Sequence, residues 1–186
     1  GAGLCWFEAT AVKKEAQANP RQLYLCEETK NEFAKLLQVY EEEEEKLGSE
    51  SDQPSFRKGL KILQLTHSGR YSAPGYKNPL RMYWYDVLDK AYGRTREDGK
   101  ILSDEELDLL PEYFEEATRL AKEIGFDGVD IKSCHRYLLC ESLSAFTRKD
   151  SKYGGESYEN RTRLVKNIIN RVQDRFATNN FMITLR

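Results

Sequence analysis

Three side chains near the middle of the chain have types and spacing that suit chemistry: Lys132, His135 and Tyr137. Lys132 and His135 lie three residues apart and can both donate hydrogen bonds to one oxygen, which polarises a carbonyl group or binds an anion. Tyr137 carries a phenol, with a pKa of about 10 in the free side chain, and can deliver a proton when it is hydrogen-bonded or near positive charge. The alternative interpretation of Tyr137 is an aromatic side chain packed beneath the loop.

The residues just before this group predict a β-strand with two different faces. Val129 and Ile131 alternate with Asp130 and Lys132, which is the period of a strand. Other predicted strands also end in polar side chains, namely Glu8, Thr10, Gln64, His67 and Arg186. Because the carboxyl ends of parallel strands in a barrel face one opening, these side chains are expected to share a site.

The whole chain alternates between predicted strands and helices. Strands are predicted at 4–12, 61–67, 126–131 and 181–186, and amphipathic helices lie between them. Such alternation predicts an α/β fold with a parallel sheet. Since no Gly-x-Gly-x-x-Gly loop is present, a (β/α) barrel is favoured over a dinucleotide-binding fold. Four strands are half of an eight-stranded barrel, so the open apolar edges are expected to pair with the remainder of the barrel or with a second copy.

Local signals mark the ends of the helices and two long connections. The first helix is predicted to begin at Glu27, with the acidic run Glu41 to Glu45 as its solvated end. Ser103 and Glu106 form a capping-box pattern, Pro111 suits the first turn of a second helical piece, and Gly125 is placed to end it. We expect a flexible acidic and polar insertion at 41–58 and a long functional or mobile loop at 72–102.

Composition excludes several functional classes. The 186 residues carry a formal net charge of −2, so no electrostatic signal for nucleic acid or an anionic membrane is present. The mean hydropathy is −0.73, and no apolar run approaches membrane-spanning length. The start of the chain lacks the features of a signal peptide. Four cysteines without a Cys-x-x-Cys pair favour free thiols in the cytoplasm over disulfides or a metal site.

Four segments together resemble the old yellow enzyme family of NAD(P)H:flavin oxidoreductases. The segment 125–139, GFDGVDIKSCHRYLL, is similar to the fourth-strand motif of that family. EATAV at 8–12 is similar to its second strand, and QLTHSGR at 64–70 to its third. YGG at 153–155 with ENR at 159–161 is similar to the stretch that opens its fourth helix. The resemblance covers nearly the whole chain in the expected order.

This resemblance implies an FMN-dependent (β/α)8 barrel of which strands two to five lie in this chain. Hydride passes from NAD(P)H through the flavin to an activated C=C bond of a small unsaturated carbonyl substrate, and the family's proton-donating tyrosine matches Tyr137. The family's pair of carbonyl-binding donors matches Lys132 and His135. Its flavin contacts match Ala9 beside the ring, Gln64 at the pyrimidine edge and Arg186 near N1 and O2.

The chain departs from the family pattern in three ways, one of which is a spacing one residue longer than usual between the Gly-Gly pair at 154–155 and the Glu-Asn-Arg segment at 159–161. Lys132 stands where histidine is common, and an ammonium binds as a point charge, which favours anionic or strongly polarised substrate groups. The family's first strand and its strands six to eight have no counterpart here. Since the later strands supply the phosphate-binding site, this chain by itself is expected to bind flavin weakly.

Two other functions fit the residues. The first is a catalytically silent half-barrel that acts as an assembly or binding module and pairs its open edges with another chain. The second is a barrel lyase without flavin, in which Lys132 forms a Schiff base with a carbonyl substrate. Retained flavin absorbance that bleaches with NADH would support an ene-reductase over the binding module. Borohydride trapping with a carbonyl substrate that leaves Lys132 unmodified would exclude the lyase.

Overall fold

The structure, a computed structural model, describes residues 2–49, 58–72 and 78–186. Its strands are β1 (Leu4–Ala11), β2 (Leu60–Thr66), β3 (Leu80–Arg81), β4 (Lys100–Ile101), β5 (Gly128–Ile131) and β6 (Met182–Leu185). Its α-helices are α1 (Lys30–Ser49), α2 (Asp86–Ala91), α3 (Asp104–Asp108), α4 (Leu110–Ile124), α5 (Leu138–Leu143) and α6 (Tyr158–Phe176). Among these helices, none is long and apolar enough to cross a membrane.

Four parallel strands form the central sheet in the order β1, β2, β5, β6. The order of these four strands in the sheet is their order along the chain, with helices in each connection and the short strands β3 and β4 between β2 and β5. This is the arrangement of consecutive βα units in a parallel barrel. The predicted α/β class and the predicted strand order are therefore confirmed.

The two faces of the sheet have different surroundings. Leu63, Leu65, Val129 and Ile131 are fully buried and belong to the hydrophobic core that the helices cover. The α4 and α6 residues of this core include Phe114, Ala117, Leu120, Leu164, Ile168 and Val172. Burying each large apolar side chain contributes about 1.5–3 kcal/mol. This helix-covered face holds the strands in register, so that the opposite face can carry polar groups.

The helix signals between residues 103 and 125 are confirmed. The Glu106 backbone N–H donates to Ser103 Oγ at 3.2 Å, and the Ser103 N–H donates to the Glu106 carboxylate at 3.0 Å. Pro111 lies in the first turn of α4, where its missing N–H costs no helical hydrogen bond. Gly125 ends α4 with a φ of 109°, in the left-handed region that favours glycine.

Helix α1 begins later than predicted, and it includes the acidic run Glu41 to Glu45 that was interpreted as its solvated end. It begins at Lys30 rather than Glu27, and it continues through the acidic run to Ser49. The acidic run is bonded to the start of β2, since Lys61 Nζ lies 3.1 Å from Glu41 Oε1 and the Gly59 N–H donates to Glu44 at 2.7 Å. Residues 41–49 of the predicted flexible insertion 41–58 are therefore helical, and residues 50–57 lie outside the described part of the chain.

The predicted long loop 72–102 contains regular structure in its described part. Strands β3 and β4 pair with each other in parallel, and α2 lies between them in the chain. Asp89 of α2 is fully buried and pairs with Arg70 at 2.9 Å and with Arg81 at 3.2 Å. These ion pairs attach α2 to the turn after β2, a long-range contact that no local sequence pattern reports. Residues 73–77 lie outside the described residues.

Candidate active site

A chain of hydrogen bonds joins three strands on the face of the sheet opposite the helices. Gln64, Asp130 and Thr184 lie in one row because β2, β5 and β6 pair in that register. Gln64 Nε2 donates to Asp130 Oδ2 at 2.6 Å, and Thr184 Oγ1 donates to Asp130 Oδ1 at 2.7 Å. Asp130 is only 1% exposed, so these bonds satisfy a buried carboxylate. They also turn the nitrogen of the Gln64 amide toward Asp130 and its oxygen away.

Lys132 lies just beyond this row, past the carboxyl end of β5. Its side chain is 6% exposed, and its Nζ lies 4.3 Å from the centre of the Tyr137 ring. Burial lowers the pKa of this ammonium group, and the positive charge of Arg186 lowers it further. The side chains of Cys134 and, more weakly, Asp130 act in the opposite direction, but Lys132 forms no ion pair with any carboxylate in the described part of the chain. Lys132 is therefore a buried cation without a carboxylate partner among the described residues.

The loop that carries the predicted donors takes an unusual backbone path. His135 has a φ of 61° and Arg136 a φ of 58°, in the left-handed region that residues other than glycine seldom adopt. Helix α5 begins directly after it, and the Leu138 N–H donates to the His67 carbonyl at 3.1 Å. This path brings the centre of the His135 ring to 6.4 Å from that of Tyr137, with the rings nearly perpendicular. The structure thus places Lys132, His135 and Tyr137 together.

The predicted flavin-contacting residues lie along the same end of the sheet. Arg186 follows β6, and its carbonyl accepts a hydrogen bond from the Ser133 N–H at 2.6 Å, beside Lys132. Gln64 lies one row lower. Ala9 lies on β1 at a β-bulge, where the pairing with β2 shifts register, and its carbonyl accepts from Gln22 Nε2 at 2.8 Å. Strand β2 separates Ala9 from the strand that leads to Lys132.

His67, another polar residue at a strand end, has a structural environment. It is 3% exposed, and its Nδ1 accepts a hydrogen bond from the Gly69 N–H at 3.1 Å. Burial lowers its pKa to about 3, and the positive charge of Lys13 contributes to the shift. His67 is therefore neutral at neutral pH and supports the turn after β2.

A cavity of about 770 Å³ adjoins His135 and Tyr137. Its walls include four residues that the sequence analysis did not single out, namely Tyr71, Tyr92, Arg94 and Arg136. The centre of the Tyr71 ring lies 5.8 Å from that of Tyr137 and 5.4 Å from that of Tyr92. Tyr71 directly follows the motif at 64–70, and Arg136 lies within the motif at 125–139, so both could have been found from the sequence. Tyr92 and Arg94 come from the connection after α2 and carried no such signal.

The side chains at this end of the sheet fit a flavin. Reduced flavin carries negative charge at its pyrimidine edge, and Arg186, a cation at the end of β6, is the side chain that would stabilise this charge. The Gln64 oxygen, turned away from Asp130, suits a ring N–H donor. A buried ammonium without a close carboxylate is unfavourable until an anion or a polarised oxygen compensates it.

Comparison with known sequences decides the family. The sequence profile of the NADH:flavin oxidoreductase / NADH oxidase family matches residues 28–186. The chain belongs to this family. The family uses FMN as its cofactor and NADH or NADPH as the reductant, in agreement with the resemblance drawn from the sequence.

Curated relatives are similar over most of this chain but are longer than it. The chain is 30% identical to the NADPH dehydrogenase of Bacillus subtilis, a match that covers 92% of this chain and 45% of the relative. It is 27% identical to the NADPH dehydrogenase of Clostridium acetobutylicum, over 94% of this chain and 46% of the relative. The chain spans about half the length of these two relatives.

Solved structures confirm the barrel. The crystal structure of TcOYE with pHBA matches with a TM-score of 0.77 at 22% identity, over 99% of this chain and 53% of that protein. Morphinone reductase in complex with tetrahydroNAD matches with a TM-score of 0.75 at 22% identity, over 99% of this chain and 51% of that protein. Both belong to the old yellow enzyme family, so the predicted partial (β/α) barrel is confirmed.

Proposed function

We propose that the protein reduces a C=C bond conjugated to a carbonyl group, with NADH or NADPH as the source of hydride. The observation that supports this most strongly is the buried Lys132 ammonium against the Tyr137 ring, without a carboxylate partner in the described residues. An oxygen-binding cation and a hydroxyl proton donor at one barrel mouth are the two groups that such a reduction requires.

Lys132 and His135 bind the carbonyl oxygen of the substrate in this proposal. Both are hydrogen-bond donors when protonated, and the ammonium stabilises the negative charge that moves onto the oxygen as the β-carbon accepts hydride. Burial strengthens this effect because water screens the charge less. The same burial keeps Lys132 from being satisfied by solvent in the absence of substrate.

Tyr137 supplies the proton that completes the reduction. FMN, which Gln64 and Arg186 would hold, would supply the hydride-transfer chemistry between the nicotinamide and the β-carbon of the alkene. The Tyr137 hydroxyl gives its proton to the α-carbon, so one hydride and one proton saturate the double bond. Water then returns a proton to the phenolate, which the Lys132 charge over the ring stabilises meanwhile.

Tyr137→Phe tests the proton-donor role in the intact flavin-loaded protein. We expect reduction of the flavin by NADH or NADPH to keep its rate, while oxidation of the reduced flavin by 2-cyclohexenone slows by about 10²–10⁴-fold, because a general acid is lost. Stopped-flow absorbance of the flavin measures the two half-reactions separately.

Tyr158→Phe is the matched control, because Tyr158 is 71% exposed on α6 and removal of its hydroxyl leaves the site intact. Equal slowing of both half-reactions in Tyr137→Phe would contradict the assigned role.

A second candidate function rests on the row of residues below Gln64. Trp6, Ile62, Gly128 and Met182 share one row of the sheet, yet Trp6 is 44% and Met182 39% exposed. Such exposure favours a further layer of chain over this face. The second candidate is therefore a non-catalytic half-barrel that a second copy covers. Sedimentation of a stable dimer that retains no FMN would support it, and flavin absorbance that bleaches with NADH would exclude it.

A further inference from the structure

The cavity beside Tyr137 has an unbalanced set of charges on its walls. Two arginines, Arg94 and Arg136, line it together with Tyr71, Tyr92 and His135, and no acidic side chain is among its described lining residues. A cavity of about 770 Å³ is large enough for more than the reacting carbonyl and alkene. The wall chemistry therefore bears on which substituents a substrate carries.

Arg94 is held in the cavity wall by the protein itself. It is 7% exposed, its Nη1 donates to the Arg70 carbonyl, and its guanidinium carbon lies 5.4 Å from the centre of the Tyr92 ring. Burial lowers the pKa of Arg94, and the nearby charges of Arg81 and Arg70 lower it further, against the opposite effect of Asp89. A guanidinium fixed in this way loses little side-chain entropy when it binds a ligand.

The ion pairs behind this wall hold two further arginines, Arg70 and Arg81, close to Arg94. Asp89 is shared between Arg70 and Arg81, and the Glu141 carboxyl group also pairs with Arg70. Burial raises the pKa of Glu141 to about 7, so this group is only partly ionised at neutral pH. Arg70 and Arg81 thus bring two guanidinium groups close enough for their charges to act on Arg94, alongside the opposite charge of Asp89.

Arg136 brings a second cation to the cavity from the loop after β5. Arg136 lies between His135 and Tyr137 in the sequence, its backbone is left-handed, and its side chain is exposed. Its charge acts on the Tyr71 phenol, whose pKa is nevertheless raised by burial and by Tyr92. Tyr71 thus stays protonated and can donate a hydrogen bond to a negatively charged group in the cavity.

We infer that this cavity is an oxyanion subsite, in which Arg94 and Arg136 bind a carboxylate or phosphate group remote from the reacting double bond. The inference rests on the proposed function for the position of that double bond beside Tyr137. Two sources supply the same chemistry: a carboxylate substituent of the substrate, or a phosphate of the nicotinamide reductant. Planar guanidinium groups bind either oxyanion through paired hydrogen bonds.

Binding of a matched pair of non-reducible probes tests the subsite without turnover. The probes are (3-oxocyclohexyl)acetate and its methyl ester, which differ in one negative charge, and binding to the intact flavin-loaded protein is measured from the flavin absorbance. We expect the acetate to bind about tenfold more tightly than the ester, since a charge-assisted hydrogen bond is lost in the ester. Equal affinity for both probes would overturn the substrate form of the inference, and an unchanged KM for NADPH in Arg136→Gln would then overturn the inference as a whole.

Variants then assign the preference to the arginines. Arg136→Gln, at an exposed position, and Arg94→Gln each reduce the preference for the acetate, whereas Lys166→Gln removes one charge from the outer helix α6 and leaves it unchanged. Arg136→Gln keeps the test decisive if Arg94→Gln fails to fold. Persistence of the full preference in both arginine variants would also overturn the substrate form of the inference.

A second arm separates the two sources of the oxyanion. If Arg136→Gln raises the KM for NADPH and the two probes bind the variant and the parent alike, the oxyanion belongs to the reductant, and the substrate form of the inference is wrong. A retained acetate preference in a protein that reduces no alkene leaves the subsite standing while the proposed function fails.

Discussion

Two clusters of cations at neighbouring strand ends have opposite degrees of charge compensation. In the closed cluster, formed by Arg70, Arg81, Asp89 and Glu141, each arginine has a carboxylate partner, with Arg70 and Arg81 at 2.9 Å and 3.2 Å from Asp89. In the open cluster, formed by Lys132, Arg136 and Arg186, none of the three cations pairs with a carboxylate of the described residues. The closed cluster is centred on Arg70, in the turn after β2. The residues of the open cluster follow β5 and β6.

The comparison distinguishes charges that stabilise the fold from charges that are available to bind a ligand. Breaking a buried ion pair is strongly destabilising because the remaining charge loses its partner. The closed cluster therefore attaches α2 and α5 to the turn after β2. An uncompensated buried ammonium instead costs stability until a ligand binds. Lys132 is thus expected to contribute to binding rather than to folding.

Asp89→Asn breaks the closed cluster and has the largest expected effect on stability. Asp89 is fully buried, and its loss leaves Arg70 and Arg81 without their shared partner. We expect the free energy of unfolding to fall by about 3–5 kcal/mol, measured by urea denaturation. Asp86→Asn, at an exposed position on the same helix, is the control and should change little. Similar losses in the two variants would remove the distinction between buried and exposed charges.

Gly69→Ala disturbs the close approach of the turn after β2, next to Arg70, to the start of α5 at Leu138. Gly69 has a φ of 58°, and an added Cβ would lie 2.7 Å from the backbone nitrogen of Leu138, which follows Tyr137. We expect left-handed strain of about 1–2 kcal/mol together with the cost of moving α5.

Gly93→Ala isolates the strain, because Gly93 has a φ of 65° but no heavy atom within 4 Å of its added Cβ. Urea denaturation of both variants measures the difference, and equal destabilisation would show that the approach to Leu138 is unimportant.

Lys132→Met removes a charge from the open cluster and has the smallest expected effect on stability. Removing a buried, uncompensated charge should change the free energy of unfolding by less than about 1 kcal/mol or raise it. Binding of (3-oxocyclohexyl)acetate should nevertheless weaken, because the ammonium is lost. Lys166→Met is the control for removing an exposed lysine. A large loss of stability in Lys132→Met alone would assign Lys132 to the architecture.

The pH dependence of the free energy of unfolding gives a second measure of the Lys132 charge. The pKa of Lys132 is lowered in the folded protein, so the unfolded chain, with a lysine pKa near about 10.4, binds more protons between the two values. The stability contribution of Lys132 therefore rises with pH across that interval. Lys132→Met should lack this rise relative to the parent protein, as measured by urea denaturation from neutral to alkaline pH.

Local sequence patterns predicted the elements that local physics controls. The capping pair Ser103 and Glu106, Pro111 and the left-handed Gly125 were all placed correctly because each depends on hydrogen bonds or dihedral angles within a few residues. The alternation at Val129 and Ile131 likewise predicted a strand, since period two follows from strand geometry. Helix α5 was not predicted, because its six residues carry too short a pattern.

By itself the sequence determined the order of the strands, the start of α3, both ends of α4 and the grouping of Lys132, His135 and Tyr137, because each depends on residues that are near one another in the chain. Only the tertiary structure decided which charges are compensated. Arg70 meets Glu141 from 71 residues away, and Arg94 reaches a cavity wall beside Tyr137. Such pairings depend on how the turns after separate strands converge, and that convergence is set by the packing of the whole sheet against its helices.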